Sequence, residues 1–171
     1  DYYVYPLGLV LNHAYPPLEK KTSTRKSKKA AVIPQLERNL APVLSAEQNN
    51  VIDSISLHSE FKVHLVHGVT GSGKTEVYMN LLEKVLVEKK RGLVLVPEIS
   101  LTPQLIDRFA RRFGDAIAVL HSQLTDRERT DQWWSIFSGE KKILIGARSA
   151  LFCPIENLGL IIVDEEHDAS F

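Results

Sequence analysis

A single cysteine, Cys153, in 171 residues excludes an internal disulfide framework, and also any zinc site built from cysteines within these residues. A reducing compartment suits such a chain. Net charge is equally scarce: 21 Lys and Arg balance 21 Asp and Glu at a sequence pI near 7.2, so the bulk positive field of many DNA-binding modules is lacking. Long apolar runs are missing too. No stretch approaches the ~18 residues that span a bilayer, and the first residues lack the basic, apolar and small-residue pattern of a signal peptide. These absences lead us to expect a soluble cytoplasmic protein with no membrane partner. What is present in quantity is apolar residue content, 44%, enough for one domain with a core and some appendage.

Composition divides the chain into three. Residues 1–18 are aromatic and proline-punctuated (Tyr2, Tyr3, Tyr5, Pro6, Tyr15, Pro16, Pro17) and read as a connecting or docking segment. Residues 19–44 hold the charge that the whole chain lacks: Lys20, Lys21, Arg25, Lys26, Lys28, Lys29 and Arg38 stand against Glu19 and Glu37. With no apolar periodicity, that stretch reads as a basic flexible linker, either a solvated tether or an aid in holding phosphates. From Ser45 to Phe171 helical and strand-like pieces alternate. Ser45 with Gln48 forms a capping-box signature, so a helix is predicted over Ala46 to Leu57. Strands are predicted at Val63 to His67, Leu93 to Val96, Ile117 to Leu120, Ile143 to Ile145 and Leu160 to Val163. Helices at Lys74 to Lys89, Leu101 to Phe113 and Asp126 to Phe137 separate them, the first with an apolar stripe at Val77, Leu81, Leu82, Val85 and Leu86. Continuous apolar strands alternating with helices define an α/β fold with a doubly wound parallel sheet.

Two motifs carry chemistry. Gly68-Val69-Thr70-Gly71-Ser72-Gly73-Lys74-Thr75 fits the pattern G-x-x-x-x-G-K-[ST] between a predicted strand and helix. Glycines let the backbone curl until successive N–H groups face phosphate oxygens, and the helix that follows adds its positive end. Gly68, Thr70, Gly71, Ser72, Gly73, Lys74 and Thr75 are therefore the candidate phosphate-binding set, with Lys74 reaching the β and γ phosphates and the Thr75 hydroxyl on Mg²⁺. The second motif is Asp164-Glu165-Glu166-His167 at the end of an apolar strand. Three adjacent acids at a strand end suggest a divalent cation, with Asp164 holding Mg²⁺ and Glu165 orienting the attacking water.

The tetrad with the phosphate loop resembles the first RecA-like lobe of a superfamily two helicase. Five blocks in order, from Gly68 to Tyr78, Val96 to Gln104, Leu120 to Ser122, Gly146 to Phe152 and Asp164 to Ser170, closely resemble the PriA family of primosomal replication-restart helicases. The resemblance implies a RecA-like P-loop NTPase lobe that uses ATP and Mg²⁺ in a motor moving 3′ to 5′ on DNA. It implies single-stranded and forked DNA as partners, with other primosome proteins and single-strand-binding protein. Ser100, Thr102, Arg148 and Ser149 then become candidate contacts to a strand backbone. Gln48 resembles an adenine-reading glutamine, an exposed helix glutamine being the other reading. The resemblance also implies that His167 couples nucleotide state to a second lobe. Of Trp133 and Trp134, at least one is expected in the core.

Two departures qualify the expectation. The residues stop at Phe171, short of the family's second lobe, its arginine finger and its zinc-binding cysteines. An arginine finger is worth ~10³ to 10⁵ in rate, so this chain is expected to bind ATP better than it hydrolyses it. Residues 19–44 are also too few for the family's winged-helix domain. Two other readings compete: a non-catalytic nucleotide- or DNA-binding docking module, and a nucleotide kinase, against which Glu165-Glu166-His167 counts.

Overall fold

The computed structural model describes residues 15–16, 42–57, 60–69 and 71–168. The expectations for residues 1–14 and 17–41 lie outside them. Among the described residues there are four α-helices, α1 (Ala46–Ser54), α2 (Lys74–Val87), α3 (Pro103–Phe113) and α4 (Asp126–Phe137), and four strands, β1 (Arg91–Leu95), β2 (Ile117–Leu120), β3 (Ile143–Gly146) and β4 (Leu158–Val163). The strands form one parallel sheet in the order β2-β3-β1-β4. Successive residues of a strand point to opposite faces, and both faces here are apolar. From β1, Val94 with the following Val96 joins Tyr78, Leu82, Phe109 and Ile145 in a cluster under α2 and α3. Leu93 and Leu95 face the other way, packing with Trp133, Ile136 and Leu144 under α4. Helices on both faces confirm the doubly wound α/β architecture.

Local signals set several element ends. Ser45 and Gln48 form the expected capping box, and Thr125 and Glu128 form a second one at α4, whose bounds match the expected ones. Hydrogen bonds from the Thr125 backbone and hydroxyl hold the Glu128 carboxyl below its ordinary pKa. α3 begins at Pro103 rather than Leu101, because Thr102 accepts from the Leu105 amide as N-cap and proline is tolerated only in the first turn. α1 stops at Ser54, three residues early: the Ser54 hydroxyl donates back to the Val51 carbonyl and Ile55 is already extended.

One predicted strand is absent. Val63 to His67 has the composition of a buried strand, yet these residues pair with no other strand among the described residues. Val63 is 83% and Leu65 78% exposed. A strand needs a partner edge as well as β-branched residues, and among the described residues this segment has none.

Gly146 shows why glycine opens the Gly146 to Phe152 block. A Cβ there would lie 2.7 Å from both the Ala150 Cβ and the Leu120 carbonyl oxygen, so only glycine lets the 3₁₀ turn Arg148–Phe152 fold back on β3. That turn buries Cys153 beside α4, and burial pushes its thiol pKa up to about 12. With so little thiolate, Cys153 is expected to react with a disulfide reagent at pH 8 at least tenfold more slowly in the native protein than in urea, by an order-of-magnitude reading of that shift. Equal rates would show that the Cys153 thiol is open to solvent in the native protein.

Candidate nucleotide site and nucleic-acid edge

The phosphate-loop candidate is built by glycine conformation and by the anchoring of α2. Gly71 (φ +81°) and Gly73 (φ +84°) are left-handed, and the Ser72 amide donates to the Val69 carbonyl at 3.1 Å, closing the curl. Thr70 lies outside the described residues. Gly73 caps α2 without a side chain, so the amides of Gly73, Lys74 and Thr75 have no protein acceptor among the described residues. Three such N–H groups at a helix N-terminus are what an anionic phosphate takes up. The Lys74 ammonium donates to the Gly68 carbonyl at 2.5 Å and to that of Val69 at 3.2 Å, spanning the loop. What keeps the loop in place is behind it: Val77, Leu81, Leu82 and Val85 of α2 are buried, each contributing about 1.5 to 3 kcal/mol.

Gln48 reaches the same loop. Its Nε2 donates to the Ser72 carbonyl at 3.3 Å while its Oε1 accepts from the Ser45 amide at 2.9 Å. Both ends of the amide are thus engaged in a link between α1 and the loop, and a Cβ on Gly73 would collide with Nε2. To read adenine, Gln48 would have to give up these bonds.

Asp164 follows β4, and its amide donates to the Leu95 carbonyl at 2.9 Å, placing it beside the end of β1. The Tyr78 hydroxyl donates to Asp164 Oδ1 at 3.1 Å. This bond joins the two motifs, since Tyr78 lies four residues after Lys74 on the same helix face. Burial, then the charge of Asp164 and its hydrogen bond, push the Tyr78 pKa far above its ordinary value, so it remains a donor. Sequence reasoning did not assign Tyr78 a role, although its spacing from Lys74 was a usable signal. A carboxylate oriented by a buried hydroxyl and a threonine at the start of the facing helix form a donor set suited to a hard divalent cation.

Glu165 is exposed and adopts φ +51°, a left-handed conformation uncommon outside glycine, and its carbonyl accepts from the Asp168 amide at 2.8 Å. Its carboxylate accepts from the Ser100 hydroxyl at 2.9 Å. A residue expected to touch nucleic acid is therefore bonded to the residue expected to orient water, a pairing that nothing in the sequence indicated. His167 is exposed, 3.9 Å from the Glu166 carboxylate.

The remaining candidates lie where expected, in segments after the parallel strands. Ser100 ends the one-turn helix Glu98–Ser100 after β1, and Thr102 follows it. The Thr102 oxygen serves as N-cap of α3 but keeps its hydrogen for donation. Arg148 and Ser149, after β3, are exposed, and Arg148 has no ion pair among the described residues. Across the ends of β1 and β2 the Glu98 carboxylate accepts from the Ser122 amide at 3.2 Å, and hydrogen bonds from the Ser122 hydroxyl and then its amide hold the Glu98 pKa down. Trp133 is in the core and Trp134 half-buried, as expected.

A parallel sheet covered by helices on both faces, with a phosphate-loop sequence leading into α2 and an acidic tetrad closing β4, defines a RecA-like NTPase lobe. The DEAD/DEAH box helicase family matches residues 45–170, and the chain belongs to that family. It is similar to the replication restart protein PriA of Bacillus subtilis (strain 168), 57% identical over 112 residues, which is 66% of this chain and 14% of the relative. It is also similar to PriA of Synechocystis, 49% identical over 138 residues (81% and 17%), and of Haemophilus influenzae, 52% identical over 128 residues (75% and 18%). The chain spans less than a fifth of the length of these relatives. No helix among the described residues is long and apolar enough to cross a membrane.

Proposed function

We propose that this chain is the ATP-binding lobe of a cytoplasmic ATP-dependent DNA helicase that moves 3′ to 5′ and acts in replication restart and primosome assembly. The Tyr78–Asp164 hydrogen bond carries the reading, because it brings the phosphate loop and the acidic tetrad into one site. Lys74 and the free amides of Gly73 to Thr75 bind and orient the triphosphate, assisted by Gly68, Thr70, Gly71 and Ser72. Thr75 and Asp164 hold Mg²⁺, which when bound offsets phosphate charge. Glu165 positions and polarises the attacking water once its carboxylate leaves Ser100. Ser100, Thr102, Arg148 and Ser149 contact the backbone of single-stranded or forked DNA, and His167 transmits nucleotide state. Gln48 reads the adenine edge on leaving Ser72. Residues 1–18 serve as a connecting segment, residues 19–44 as the basic linker, and 45–171 as the motor lobe. Other primosome proteins and single-strand-binding protein complete the partners.

Lys74 is the cation that the loop itself supplies, and a phosphoryl transition state commonly takes an arginine as well, at ~10³ to 10⁵ in rate. The chain is therefore expected to bind Mg-ATP while turning it over slowly, with little stimulation by DNA. Fluorescent-nucleotide titration and an ATPase assay with and without forked DNA check both parts. No nucleotide binding would overturn the site, and robust DNA-dependent turnover would overturn the expectation of slow hydrolysis.

A further inference from the structure

An acid stands directly beside the candidate phosphate loop. Glu76 follows Thr75 in the first turn of α2, and its amide donates to the Gly73 carbonyl at 2.9 Å, closing the turn that presents the amides of Gly73, Lys74 and Thr75. A carboxylate in that turn suits the helix, whose first turn is its positive end. For a triphosphate it is an obstacle, because the same end then has to serve two anions. Arg112, 36 residues away in the last turn of α3, meets this carboxylate: its Nη1 donates to Glu76 Oε1 at 2.9 Å. The Asn80 amide donates to the same oxygen at 3.1 Å and to the Glu76 carbonyl at 2.8 Å. Arg112 also grips Glu83, two turns further along α2, through Nε and Nη2.

From this we infer that Arg112 is a positioning residue for the nucleotide site, which sets triphosphate affinity through Glu76 by holding its carboxylate against α3 and balancing its charge. This rests on the nucleotide reading above. Three features give the pair this role beyond joining two helices. Arg112 already has a two-pronged partner in Glu83, which is enough to pin α3 to α2. Burying a second acid adds a desolvation cost that the anchoring does not require. The side chain of Glu83 is 44% exposed, so water screens its charge and the guanidinium is left to balance the buried Glu76. Finally, Glu76 is tied at both ends, its amide to the N-cap carbonyl of α2 and its carboxylate to α3. The orientation of the turn that carries Lys74 and Thr75 is thereby fixed from outside the loop.

The test titrates the whole chain with fluorescent analogues of ATP and ADP at pH 8 and low salt, at a temperature where circular dichroism shows the proteins folded. Arg112→Ala should raise the dissociation constant for the ATP analogue about tenfold, the order expected of one unbalanced charge near an anion at an effective dielectric of about 20. The loss for the ADP analogue should be smaller, about threefold, because it carries less charge. Adding Glu76→Gln should restore ATP affinity to within about twofold of the unsubstituted chain, since the repelling charge is then gone. Raising the salt concentration should shrink the effect of Arg112→Ala. Arg112→Gln keeps a donor for the buried carboxylate without the charge, and it is read in place of Arg112→Ala if that variant melts below the working temperature. Unchanged affinity, equal losses for the two nucleotides, or a loss that Glu76→Gln does not restore would make the pair purely structural and overturn the inference. If the unsubstituted chain binds neither analogue, the nucleotide reading itself fails and takes this inference with it.

Discussion

Replacing Lys74 by alanine is expected to abolish measurable Mg-ATP binding while the lobe remains folded. The ammonium donates to the Gly68 and Val69 carbonyls across the loop, and with nucleotide present it would exchange these neutral acceptors for phosphate oxygens. Hydrogen bonds to charged groups are worth about 1.5 to 3 kcal/mol each, so losing contacts to two phosphates lowers affinity by roughly 10² to 10⁴. The fold should tolerate the change, because the loop is partly exposed and the stripe that anchors α2 begins at Val77. Titration with a fluorescent ATP analogue, alongside a circular dichroism melt, separates the two effects. Unchanged affinity would remove the phosphate-loop assignment, whereas a collapse of the melt would make Lys74 a structural residue.

What could be read from sequence depended on how local its cause was. α4 came out with the right bounds because Thr125 and Glu128 cap it from three residues apart, and the glycine pattern from Gly68 to Gly73 specifies its own backbone. Strands β1 to β4 were legible as apolar runs because the sheet is covered on both faces. Val63 to His67 looked the same and is not a strand, since pairing belongs to two segments and composition to one. The bonds that assemble the site were invisible for the same reason. Tyr78 to Asp164 joins positions 86 residues apart and Ser100 to Glu165 positions 65 apart, and no local pattern specifies either.

The Ser100–Glu165 bond also gives the candidate residues an order of events. While Ser100 holds the carboxylate, Glu165 accepts a hydroxyl proton rather than one from water, and its left-handed backbone is a conformation that costs about 1 kcal/mol or more. A strand that competes for the Ser100 hydroxyl would free Glu165. On the proposed roles of Ser100 and Glu165, nucleic-acid contact and water activation would be linked through this one hydrogen bond.

Arg112→Ala is expected to be the most destabilising single substitution outside the apolar core. Arg112, in the last turn of α3, donates from Nη1 to Glu76 Oε1 at 2.9 Å and from Nε and Nη2 to the two Glu83 oxygens at 2.5 and 3.0 Å. The Arg112 and Glu76 side chains are only 10% and 9% exposed, so this is a buried pair and not a surface one. Without the guanidinium, Glu76 keeps, among the described residues, the Asn80 amide at 3.1 Å. An uncompensated buried carboxylate costs about 3 to 5 kcal/mol, a large part of the 5 to 15 kcal/mol that holds a typical domain together. At about 3 °C or more per kcal/mol for a lobe of this size, the melting temperature should fall by roughly 10 to 20 °C. Adding Glu76→Gln to Arg112→Ala should recover part of that loss, because the stranded charge is then gone, and a double-mutant cycle measures the recovery. A drop under about 1 kcal/mol, within the range of solvated ion pairs, would show that Glu76 reaches water without Arg112. Glu76 directly follows Thr75, so the same substitution should loosen the first turn of α2 and weaken nucleotide binding at temperatures where the lobe is still folded.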